Sequence, residues 1–97
     1  IGEAASPAVV ADINEFADAD ARVKCVNEVL TMHLAPQDIL VTVSLDFTED
    51  ASASDVENAV SELELKMKEK HSDIKRVFIE AQGWRAHLRS KVEIGDG

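Results

Sequence analysis

The chain has 97 residues, 45% of them hydrophobic, which sets one small globular domain and excludes a disordered chain. Nineteen acidic residues against ten basic ones give a formal net charge of −9 at pH 7. That balance argues against binding nucleic acid through its phosphates and against an anionic membrane surface.

Ser6-Pro7 is a helix-start signal, with serine as cap and proline at the first helical position. Val9, Ile13, Phe16 and Ala17 then recur at helical spacing, which predicts a first helix over residues 7–18. DADAR, residues 18–22, reads as a polar turn.

Residues 25–34 and 39–48 read as two strands. In the second, Val41, Val43, Leu45 and Phe47 alternate with Leu40, Thr42, Ser44 and Asp46, the pattern of a half-buried strand. Ala35-Pro36-Gln37-Asp38 reads as a longer hairpin loop rather than a two-residue turn. A hairpin symmetric about Pro36–Gln37 sets Asn27 opposite Asp46, Val29 opposite Ser44, Thr31 opposite Thr42 and His33 opposite Leu40.

Ser54 and Glu57 have the spacing of a capping box. Behind them Val56, Ala59, Val60, Leu63 and Met67 make one apolar stripe, predicting a second helix to about Lys70. KRVFIEA, residues 75–81, predicts a third strand. Gly83 to Gly97 reads as a polar tail with a short element around residues 84–91, in which Trp84 covers a sheet edge or sits at an interface.

The order α-β-β-α-β contains a right-handed crossover between the second and third strands, which makes them parallel. The fold class expected is α+β: a ferredoxin-like, metallochaperone-like two-layer sandwich with a three-stranded mixed sheet and both helices on one face. The other face then collects Asn27, Ser44, Asp46, Glu80 and Gln82. Those oxygens suit a hard cation, but no His or Cys, which zinc prefers, stands among them, so a wet face or a partner contact is the favoured reading. His33 shares that parity but lies about 20 Å along the strand from Asn27, so it reads as a hairpin-tip residue, with an outside role as a ligand through another subunit. His71 reads as a helix C-terminal residue complementing the dipole, Glu57 as a capping residue, and Cys25 as a small buried hydrophobe. His87 falls in the tail. Cys25 is the only cysteine, so there is no disulfide and no CxxC pair; a reducing compartment fits. No phosphate loop or catalytic motif is present, and the expected answer is not an enzyme.

VNEVLTMHLAPQDILVTVSLDF, DVENAVSELELKMKEKH and SDIKRVFIEAQ together resemble the cytoplasmic C-terminal domain of cation diffusion facilitator transporters, the proton-coupled zinc, iron and manganese exporters. IGEAASPAVVADINEF resembles the segment that follows the last transmembrane helix there, and the start at Ile1 reads as a piece of a longer protein. The resemblance covers residues 1–82, with 83–97 as a tail. It implies a homodimer at the cytoplasmic face of the membrane, attached to an upstream transmembrane domain, that regulates transport without being the transport site. Where zinc-binding members carry histidines and an aspartate, this chain has Asn27, Ser44, Glu57, Glu80 and Gln82. A tight zinc site is therefore not expected. Weak divalent-cation binding through Glu57 and Glu80, and a domain that dimerises without metal, both stay open. The alternatives are a free-standing small-ligand or metal sensor of similar fold, and a soft-metal chaperone, against which the lack of CxxC counts.

Overall fold

A computed structural model describes residues 7–81. Ser6, Gln82, Trp84, His87 and the short element expected at 84–91 lie outside the described residues. The elements are α1 (Pro7–Asp18), β1 (Val23–Ala35), β2 (Asp38–Phe47), α2 (Ala53–Lys70) and β3 (Ile74–Ala81). The sheet runs β1-β2-β3, with β1 antiparallel and β3 parallel to the central β2. The expected α-β-β-α-β sandwich is the fold.

Both helices cover one face. Val9, Ile13 and Ala17 of α1 and Val56, Ala59, Leu63 and Met67 of α2 are buried, each set spaced to form one stripe on its helix. They close over Val41, Val43, Leu45 and Phe47, also buried. Charged groups tie α2 to its neighbours at two corners. Arg22 clasps Asp20 through Nε and Nη2 (2.9 and 2.8 Å) and reaches Glu62 of α2 (2.7 Å). These hydrogen bonds, Asp20's first, raise the Arg22 pKa above its ordinary value, and the Arg22 bond holds the Asp20 carboxyl below its own.

The second helix starts earlier than its sequence suggests. Ser52 is its cap: Ser52 Oγ accepts from the Asp55 backbone N–H, and the Asp55 carboxylate accepts from the Ser52 N–H, both at 3.0 Å. The turn in which Ala51 N–H donates to the Thr48 carbonyl delivers the chain at Ser52. The capping box expected at Ser54 and Glu57 is thereby replaced, and Glu57 is left exposed on α2 with no capping role.

The hairpin departs further from expectation. Ala35 pairs directly with Asp38, so Pro36-Gln37 is a two-residue turn, not the tip of a longer loop. An irregularity between His33 and Ala35 then shifts the register by one, setting Thr31 opposite Val41 and His33 opposite Ile39. Directly opposed residues share a face, so Val29, Thr31 and His33 point toward the helices, while Glu28, Leu30 and Met32 point away. Two more irregularities, between Val23 and Cys25 and between Val26 and Glu28, return Val23 and Val26 to the helix side, where they pack on the core.

Candidate functional site

Among the described residues one face of the sheet carries no helix, and this helix-free face is built of four cross-strand rows. From the open end of the sheet they are Cys25–Asp46, Glu28–Ser44–Glu80, Leu30–Thr42–Phe78 and Met32–Leu40–Arg76. The face is therefore not uniformly polar, as the symmetric register implied. One end is acidic. The middle carries two large exposed apolar side chains, Leu30 (56% exposed) and Phe78 (60%).

At the acidic end Asn27 Nδ2 donates to Asp46 Oδ1 at 3.1 Å. Cys25 Sγ lies 3.6 Å from Asn27 Oδ1 and 3.7 Å from Asp46 Oδ2. The expected pairing of Asn27 with Asp46 survives through the side chains, although the ladder partner of Asp46 is Cys25. Cys25 is exposed, against the expectation of a buried hydrophobe, because the neighbouring bulges turn it onto the helix-free face. In the next row Ser44 is nine-tenths buried, and its Oγ has no hydrogen-bond partner among the described residues.

The other sequence candidates fall elsewhere. Glu80 is on this face, opposite Ser44. Glu57 is exposed on α2, the layer on the far side of the sheet, so one copy does not bring the two carboxylates together. His33 is not on this face at all. It is half-buried on the helix side, lining an opening of about 320 Å³ with Val9, Ile39, Lys70, His71 and Asp73. His71 is the C-cap of α2, and its Nε2 meets Asp12 Oδ2 of α1 at 2.6 Å. Lys70 Nζ holds the other Asp12 oxygen at 3.0 Å. These bonds, that of His71 foremost, hold the Asp12 carboxyl below its ordinary pKa. His71 thus joins α2 to α1, beyond the dipole role read from sequence.

Among the described residues no group of three or more His, Cys, Asp or Glu side chains is placed to hold a metal ion. One thiol, one amide and one carboxylate at the acidic end leave a cation under-coordinated. Within one copy the described residues alone do not complete a metal's coordination.

Solved structures share this architecture. A nickel form of a MamM C-terminal domain variant matches with a TM-score of 0.68 at 17% identity, over 79% of this chain and 96% of that one. The fold is that of the MamM C-terminal domain. A cadmium form of another MamM variant gives 0.68 at 17% identity, over 78% of this chain and 94% of that one. A manganese form gives 0.66 at 17%, over 77% and 94%. MamM is a cation diffusion facilitator, the family that the sequence resembles. No family model and no curated protein matches the chain. Among the described residues no helix is long and apolar enough to cross a membrane.

Proposed function

We propose that this chain is the cytosolic dimerisation and regulatory domain of a proton-coupled divalent-cation efflux transporter of the cation diffusion facilitator family, and not the transport site itself. The observation that carries the reading is the match of nearly the whole MamM C-terminal domain to this chain. Leu30 and Phe78 on the helix-free face offer a second copy an apolar surface, and among the described residues β1 and β3 are the outer strands of the sheet. An interface of this size is modest, and dissociation in the micromolar range fits it.

Divalent cations enter between copies. Two acidic ends, or Glu57 of one copy and Glu80 of another, repel when brought together, and a cation relieves the repulsion and tightens the dimer. Carboxylate-dominated ligation gives weak binding, about 10⁻⁴ M as at the weaker oxygen-ligand sites. Sedimentation at several hundred micromolar, with and without manganese or zinc, tests the reading: dimer is expected and is strengthened by cation. Monomer alone at that concentration overturns it. Nanomolar zinc affinity by isothermal titration overturns the weak-cation part, and its loss in Cys25→Ser or His33→Ala then names the missed ligand. A parent reading frame with six transmembrane helices upstream separates a transporter domain from a free-standing sensor.

A further inference from the structure

Away from the helix-free face, the fold brings two histidines to one opening. The irregularity between His33 and Ala35 turns His33 to the helix side, with Ile39 as its ladder partner. Ile39 N–H donates to the Asp73 carbonyl at 2.8 Å, which pins the turn after α2 beside the end of the hairpin. His71, the C-cap of α2, stands in that turn. Both imidazoles are half-buried, and with Asp73, Lys70, Val9 and Ile39 they line the opening of about 320 Å³, a volume within the range of small-ligand sites.

The chemistry of the opening selects a cation. Asp12 holds the Lys70 ammonium at 3.0 Å, so one ammonium stands against two carboxylates, Asp12 and Asp73. The last carbonyls of α2 add the negative end of the helix dipole. Imidazole nitrogen narrows the choice to a borderline transition metal, because hard ions take oxygen. The bond between His71 and Asp12 prepares the ring. An ionised carboxylate only accepts, and Asp12 is held below its ordinary pKa, so the hydrogen at the 2.6 Å contact belongs to His71 Nε2. In the neutral ring Nδ1 then keeps its lone pair. A carboxylate on the other ring nitrogen is the usual support of a metal-bound histidine.

We propose that His33 and His71 are the two protein ligands of a borderline divalent transition metal ion, of the nickel, copper or zinc kind, at this opening, with Asp12 as the positioning residue of His71. No three His, Cys, Asp or Glu side chains close on one point among the described residues, so water fills the remaining positions. The site lies at the opposite end of the sheet from Cys25 and Asp46. It is built within one copy and rests on neither the dimer nor the transporter reading. A bound ion ties β1 to α2 directly and, through Asp12, to α1, so it stabilises the folded chain.

Nickel(II) is the probe. Imidazole suits it, and its unpaired electrons broaden the NMR signals of the residues around it. One equivalent added to the untagged full chain is expected to broaden the ring signals of His33 and His71 before the backbone signals of Asp46 and Glu80, and to raise the urea midpoint. His33→Gln and His71→Gln each remove both effects, while Cys25→Ser keeps them. Asp12→Asn weakens nickel binding about 10-fold or more; an Asp12 that only holds α1 to α2 lowers stability and leaves nickel affinity unmoved. Where His71→Gln loses the folded spectrum, His33→Gln alone decides. Broadening that survives His33→Gln, or that centres on Cys25, Asp46 or His87, overturns the site. So does a chain whose signals and urea midpoint stay unmoved by nickel in several-fold excess.

Discussion

The two faces of this sheet are read by different physics. Toward the helices, Val41, Val43 and Leu45 are at most 1% exposed, and volume and shape fix each residue. On the other face Leu30 and Phe78 stand more than half exposed, and only strand register decides which residues appear there. The first face makes the domain fold. The second is free to carry recognition, and there a one-residue shift changes the surface entirely.

The sharpest way to break this comparison is Leu45→Ala. Leu45 lines the contact with Ala59 and Leu63 of α2, and truncation there is expected to cost about 2–5 kcal/mol in urea unfolding. A loss under about half a kilocalorie means that the faces are reversed. Next comes the cap that starts α2. Ser52→Ala is expected to cost about 1 kcal/mol, and Ser54→Ala far less; equal losses in the two variants restore the box read from sequence.

The corner at Asp12 follows, smaller because ion pairs near the surface contribute little. Its carboxyl is held below the ordinary value, so its stabilisation is complete above about pH 4, the unfolded aspartate pKa, and is lost as pH falls through the lower folded value. Asp12→Asn is therefore expected to be less stable than the parent at neutral pH, with the gap closing in acid. A gap that widens in acid contradicts the sign. The smallest effect on folding belongs to Phe78→Ser, within about half a kilocalorie for a surface site, while self-association measured by sedimentation falls markedly. A large folding loss with unchanged association makes Phe78 a core residue and collapses the distinction between the faces.

Most of the helix-side face was legible. Pro7 and the stripe Val9, Ile13 and Ala17 mark α1 to its ends, and the alternation from Val41 to Phe47 gives β2 its correct parity. β1 was not legible, for a reason visible in its valines. Val23, Val26 and Val29 all pack on the core, a spacing of three that belongs to neither a regular strand nor a helix. It arises because two bulges each insert a residue, and no glycine marks them. The same bulges hide the site. They expose Cys25, where thiol statistics place it inside, while the irregularity between His33 and Ala35 turns His33 to the helix side and Leu30 and Met32 outward. Glu80 was legible because β3 has no such irregularity in its outer half. Glu57 was misread because two serines, each followed three residues later by an acid, compete to start α2, and the choice rests on the turn at Thr48.

The strand order has a consequence for time rather than for shape. β1 and β2 are joined by two residues and zip from the turn outward, so their pairing closes early. β3 pairs with β2 only after the whole of α2 has been crossed, and such non-local parallel pairing closes late. Until it does, the middle strand shows an open edge beside Val41, Val43 and Leu45. A chain of this topology is most exposed to sticking to its neighbours while α2 is still finding its place, and residues that hasten α2, Ser52 and Asp55 above all, shorten that interval.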